Sequence, residues 1–298
     1  MVTPPASARK ATPPAPEAPS SAIWTSDERT AVLRAHAVQH ATASLEETEA
    51  LLEVAELRAG LRVLDIACGP GDPTLEVAAR VGPGGAVTGI DISPGALDVA
   101  RERADRARIS NARFQCANAE SLPFPDGAFD RVVSRFGFMF FDDLPRALAE
   151  VRRVLRPDGR LAVMVWGPFD QPYFQHTVGV LLRHRGQTEL PADRAVQFRY
   201  ATPGGLESQL GAAGFSHVQG RTLHPKWVWK GTPEQARDEW IGSAVYNRPW
   251  IDELPGTERT KVWEEIADGF RAFFDGDSVR VPLTVRVLSA VRSNAAQS

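Results

Sequence analysis

The sequence predicts an α/β fold, a mostly parallel sheet with helices on both faces, on three observations. Short apolar runs near 62–67, 86–90, 112–116, 129–134 and 160–166 alternate with helical periodicity near 73–80, 94–107 and 143–155. A capping residue followed by proline marks helix starts at Asp72-Pro73, Ser93-Pro94, Thr202-Pro203 and Thr232-Pro233. The apolar run at 63–66 stops at Gly69-Pro70-Gly71, so a strand turns sharply on glycines into a helix.

Taken in order, residues 1–22 are mostly Pro, Ala and Ser and are expected to be a disordered tail. Order is expected from near Trp24, with Thr25 or Ser26 capping a helix that opens on Asp27 and Glu28. Val32, Leu33, His36 and His40, then Leu45, Leu51, Leu52, Val54 and Leu57, give two amphipathic helices before the first strand. Asp72 is read as the cap of the next helix and Pro73 as its first residue. The strand at 86–90 ends on Asp91, about twenty residues past the second glycine, the spacing at which an acidic residue meets an adenosine ribose. Arg156-Pro157-Asp158-Gly159 reads as a turn that launches the fifth strand. Beyond Trp166 come a loop at 167–170, helices at 173–185 and 203–214, a strand near 215–223 and an extended piece at 225–229. Helices near 233–244 and 257–274 precede a final strand around 280–290.

At 298 residues, 43% apolar, the chain is long enough for one large α/β domain carrying an insertion. Its 34 basic and 37 acidic residues leave a formal charge of −3, so no field draws it to nucleic acid or anionic lipid. Cys68 and Cys116 exclude a disulfide framework by their number and a zinc site by the lack of clustered partners; both read as small core residues. Two such cysteines fit a reducing cytoplasm, the location expected, and no apolar run is long enough to span a membrane.

V-L-D-I-A-C-G-P-G with I-D-I-S-P, then A-N-A-E-S-L-P-F-P-D-G-A-F-D and R-R-V-L-R-P-D-G-R, resembles the class I S-adenosylmethionine-dependent methyltransferases. Within them the chain is similar to the branch holding the ubiquinone and menaquinone biosynthesis C-methyltransferases and many small-molecule methyltransferases. The resemblance covers roughly 61–166. It implies a Rossmann-like sheet whose last strand is antiparallel, N-terminal helices at 23–60 over the cofactor mouth, a cofactor-binding core at 61–166, and a remainder at 167–298 with an inserted helical lid. It also implies S-adenosyl-L-methionine as cofactor and S-adenosyl-L-homocysteine as product.

By the same resemblance, Asp65, Gly69 and Gly71 form the first cofactor motif, with Ala67 where a glycine is frequent and Thr74 just beyond. Asp91 is expected to accept both ribose hydroxyls, Ile92 to lie against adenine, and Asn118, Ala119 and Glu120 to complete the adenine side. The backbone at Ser134 and Arg135 is expected near the cofactor ammonium. Asp65 has a second reading, ordering the turn without touching ligand. The aromatic run at 134–141 either lines a pocket or is plain core. Phe136, Met139, Tyr173 and His176 are the candidate acceptor contacts, and His40 and His176 the candidate bases; each histidine has an ordinary structural role as its alternative.

Methyl transfer from an activated sulfonium needs alignment more than covalent help, so the cofactor residues are legible and catalytic ones are not. The expected activity is therefore methylation, at carbon or oxygen, of a small aromatic or hydrophobic acceptor, with no metal. Two other classes stay open at this point. A nicotinamide-dependent oxidoreductase would place glycine where Thr74 stands, and a non-catalytic protein could bind the cofactor for regulation.

Overall fold

The structure, a computed structural model, describes residues 21–293. Among these the strands are β1 (Arg62–Ile66), β2 (Ala86–Asp91), β3 (Ala112–Cys116), β4 (Phe129–Arg135), β5 (Leu155–Trp166), β6 (Phe215–Leu223), β7 (Lys226–Lys230), β8 (Ser278–Pro282) and β9 (Val285–Arg292). The main sheet has the order β3-β2-β1-β4-β5-β9-β6. β1 to β5 pair in parallel, and β9 runs antiparallel to both its neighbours. β7 and β8 form a separate antiparallel ribbon.

Helices Thr74–Val81, Pro94–Arg106 and Leu144–Val154 make the crossovers that parallel pairing demands. Side chains alternate across the sheet, so Val63 enters one apolar cluster and Leu64 the other. The first cluster also takes Leu51 from the N-terminal helices and Trp240 and Phe270 from the C-terminal insertion, joining all three to one face. The strand order reverses between β1 and β4, and the crevice at their carboxyl ends is where open α/β sheets bind ligands.

Helix Asp27–Ala43 lies over that edge. Ser26 caps it by accepting the Arg29 N–H, and its Thr30 packs on Gly95, where an added Cβ would fall 2.0 Å from the threonine oxygen. Glycine at 95 is what allows this helix and Pro94–Arg106 to meet.

Two of the four cap-and-proline boundaries hold. Ser93 caps Pro94–Arg106, and Thr232 with Gln235 forms a capping box on Pro233–Ser243. The other two are corrected. Helix Thr74–Val81 begins one residue late because the Asp72 carboxylate is engaged by Arg103 instead of capping, and helix Gly205–Ala212 is preceded by Gly204 rather than Thr202.

Further differences follow from long-range pairing. The turn at 156–159 lies inside β5 as an irregularity opposite β4, with Asp158 at φ 60°. The helix at 173–185 breaks into Pro172–Gln175 and Val178–His184. The single final strand divides into β8 and β9, which serve different sheets. Cys116 is exposed rather than core, because β3 is the sheet edge. Residues 1–20 of the expected tail lie outside the described residues, while Ser21 and Ala22 belong to the helix Ser21–Thr25.

Candidate cofactor and acceptor site

After β1 the chain turns through Ala67 (φ 59°), Gly69 (φ 52°) and Gly71 (φ 101°). A Cβ on Gly69 would meet nothing within 4 Å, so the turn borders open space. A Cβ on Gly71 would sit 3.4 Å from that of Ala100, so its other side rests on helix Pro94–Arg106. Beneath the turn, wholly buried Asp65 accepts a 2.5 Å hydrogen bond from the Thr74 hydroxyl. Burial pushes its carboxyl up to about 7, against the pull of Thr74 and of Arg135. Asp65 and Thr74 thus brace the turn from behind and do not line the cavity, and neither does Gly71.

The cavity in front has a volume of about 710 Å³ and is bordered by the ends of β1, β2 and β4. Asp91 faces it. Its carboxylate accepts the Gly69 N–H and the Ser93 N–H, each at 2.9 Å, one on each oxygen, and each oxygen keeps capacity for another donor. Burial raises its pKa, while the two N–H groups and Arg29 draw it down. Ile92, 38% exposed, lies on the same rim. Asn118, Ala119 and Glu120 also line the cavity. The Asn118 oxygen accepts the Glu120 N–H at 2.8 Å, and Glu120 accepts the Asp143 N–H at 3.0 Å, which fixes this loop to the start of helix Leu144–Val154.

The N-terminal helices supply Trp24, Arg29 and His40 to the wall. The Arg29 guanidinium stands over the Trp24 ring at 4.6 Å. His40 meets Trp227 edge-on at 5.0 Å; burial, helped by the Arg135 charge, pushes its pKa down to about 4, so the ring is neutral near pH 7. Arg135 also lines the cavity, and its Nη1 donates to Ser44 at 2.7 Å and Thr48 at 2.9 Å.

The remaining wall is aromatic. Phe136 stacks on Trp166 with centroids 3.8 Å apart and planes within 10°. Tyr173 lies parallel to Trp166 at 6.2 Å and edge-on to Trp227 at 5.0 Å. Of the candidate acceptor contacts, Phe136 and Tyr173 therefore reach the cavity. Met139 is fully buried in the core, and His176 packs against Gly269 and Phe273, away from it. That position removes His176 as a base for chemistry in this cavity. Ser134 spends its hydroxyl on the Ile66 carbonyl at 2.8 Å, and only its neighbour Arg135 reaches the cavity. The insertion's tryptophans divide: Trp227 and Trp240 line the cavity, while Trp229 packs on Phe270 and Trp250 on the guanidinium groups of Arg185 and Arg194. Trp24, Arg29, Asp72 and Asn247 also line it, although the sequence assigned none of them to the site. For Trp24, the available signal was an aromatic residue next to a helix cap at the cofactor mouth.

A profile of the methyltransferase domain matches residues 63–159. A demethylmenaquinone methyltransferase of Thermus thermophilus is 38% identical over 179 residues, spanning 55% of this chain and 79% of that protein. The chain belongs to the S-adenosylmethionine-dependent methyltransferases. Another such methyltransferase, the ubiquinone/menaquinone biosynthesis C-methyltransferase of Methylobacterium nodulans, is 34% identical over 172 residues, 54% of this chain and 68% of that protein. The crystal structure of the (4+2)-cyclase SpnF matches with a TM-score of 0.57 at 22% identity, covering 94% of this chain and 98% of that one, a likeness of fold alone. The sheet, mostly parallel with one antiparallel strand and flanked by helices, is that of a class I methyltransferase.

The donors and acceptors present suit this methyltransferase's cofactor. Two partly used carboxylate oxygens on Asp91 fit a pair of ribose hydroxyls, and the open glycine turn gives backbone access to the amino-acid part.

Proposed function

We propose that this methyltransferase acts on a planar aromatic acceptor, a phenol or a quinone-like ring. The near-parallel set Phe136, Trp166 and Tyr173 on the cavity wall carries the reading. Flat rings stack on such a wall and displace water from it. Relatives named for quinone biosynthesis support the same class.

Bound S-adenosylmethionine supplies an electrophilic methyl group. The chain's part is to position and enclose. Asp91 and the Asn118–Glu120 loop hold the nucleoside, and the glycine turn meets the amino-acid part. The aromatic wall holds the acceptor, and the N-terminal helices with the insertion shut out water. His40 is neutral near pH 7 and holds a proton too weakly to act as a base there. Its ring nitrogen instead accepts a hydrogen bond from an acceptor hydroxyl and orients it. We place the enzyme in the cytoplasm on its two free cysteines, with a small-molecule acceptor and no nucleic-acid substrate.

Following S-adenosylhomocysteine release with a panel of phenols, naphthols, quinols and aliphatic amines tests this. Turnover is expected with fused or substituted phenolic rings. Turnover confined to the amines would overturn the reading.

A further inference from the structure

The cofactor brings a carboxylate into a largely apolar cavity, and an unpaired carboxylate there is costly. Two side-chain cations among the described residues line the cavity, Arg29 and Arg135. They stand at different ends. Arg29 sits on Trp24, and its charge acts on Asp91, at the ribose end of the crevice. Arg135 ends β4 beside the glycine turn: its neighbour Ser134 bonds the Ile66 carbonyl at 2.8 Å, and a Cβ on Gly137 would fall 2.8 Å from that of Ala67. That is the end at which the amino-acid part of the cofactor must lie.

Arg135 is also built to receive one more partner. Its Nη1 is taken by the Ser44 and Thr48 hydroxyls, and Oε1 of Glu47 stands 3.5 Å away. Neither oxygen of Glu47 closes a well-aligned hydrogen bond among the described residues, although Arg135 and the Trp227 indole both face it. The guanidinium is therefore oriented from behind while its charge is only loosely matched. Its Nε and Nη2 make no hydrogen bond among the described residues. Together they form the side-on fork that fits a carboxylate with two parallel bonds.

We propose that the Arg135 side chain binds the carboxylate of the cofactor's methionine, held in position by Ser44, Glu47 and Thr48 of the N-terminal helices. The inference rests on the family assignment and not on the identity of the acceptor. It makes the N-terminal helices part of the cofactor site, although the matched profile begins only at residue 63.

Titration calorimetry on the full chain tests it with S-adenosylmethionine and its decarboxylated analogue, both sulfonium ions that differ only in that carboxylate. Wild type is expected to bind the first about tenfold to a hundredfold more tightly, the range for hydrogen bonds to charged groups. In Arg135→Met the affinity for S-adenosylmethionine is expected to fall by about that factor while the analogue stays within roughly threefold of wild type, so the preference disappears. Arg135→Lys retains the charge without the fork and recovers part of the preference. Should the methionine variant fail to fold, the lysine variant decides: wild-type affinity for both ligands overturns the fork. Equal loss of both ligands in a folded Arg135→Met also overturns the proposal, since it would mean a purely structural role. So does a preference that survives there but disappears in Arg29→Met, which would move the carboxylate to Arg29.

Discussion

The guanidinium of Arg103 grips the carboxylate of Asp72 through two bonds, 2.7 and 2.8 Å long, and gives a third, 2.7 Å, to the Pro70 carbonyl. Both side chains are nearly buried, so helix Pro94–Arg106 holds the glycine turn by a charged clamp that water does not screen. Removing one partner of a buried pair costs about 3–5 kcal/mol, because the other is left buried and unmatched. Arg103→Met is expected to lower the melting temperature and weaken cofactor binding together. A melting curve unchanged from wild type would show that the clamp contributes nothing.

Asp91→Ala is expected to behave differently. The Gly69 and Ser93 N–H groups lose their shared acceptor, but their turn is supported elsewhere by Asp72 and Asp65. Binding of S-adenosylhomocysteine should weaken by about 1.5–3 kcal/mol for each charged hydrogen bond lost, with the circular dichroism spectrum retained. Full affinity in a folded variant would remove Asp91 from the site.

These two residues show what a sequence discloses. Asp91 is legible because a strand end and a glycine turn at fixed spacing constrain it locally. Ser93 and Thr232 are legible as caps for the same reason, since each satisfies an N–H three residues away. Asp72 carries the same local pattern and yet does not cap, because Arg103, far along the chain, engages its carboxylate. Nothing near residue 280 signals that β8 leaves the main sheet to pair with β7 while β9 returns to it. The contact of Arg135 with Ser44, Glu47 and Thr48 is likewise formed only by folding. Met139 and Phe136 show the limit inside one aromatic run: three residues apart, one is core and the other is cavity wall.

Glu47 gives the protein a pH-dependent stability. Burial pushes its carboxyl up to about 7, with Arg135 and Trp227 drawing it down, so the folded state holds this proton more tightly than the unfolded chain does. Its contribution is complete below the ordinary value of 4.5 and is lost as pH rises through about 7. The melting temperature of Glu47→Gln relative to wild type should therefore climb between about pH 5 and pH 8, each kcal/mol appearing as about 2–4 °C. A difference that stays flat across that range would mean Glu47 titrates as in water.

The acceptor wall separates residues that the sequence grouped together. Trp166→Leu and Tyr173→Leu remove stacking surface and are expected to raise the acceptor KM several-fold, leaving S-adenosylmethionine affinity nearly unchanged. His176→Gln, outside the cavity, is expected to leave both at wild-type values. Loss of acceptor turnover in a stable His176→Gln alone would place the acceptor elsewhere.

Methyl transfer from S-adenosylmethionine to a planar aromatic ring can be followed by mass spectrometry with a methyl-deuterated cofactor. Purified protein, labelled cofactor and the phenol, naphthol and quinol panel are incubated together, and the products are read for the labelled methyl group. The expected result is one labelled methyl on a ring carbon or ring oxygen of at least one acceptor, with an equal amount of S-adenosylhomocysteine. Cofactor binding without label on any aromatic acceptor, or label only on aliphatic amines added in a parallel incubation, would rule out an aromatic acceptor.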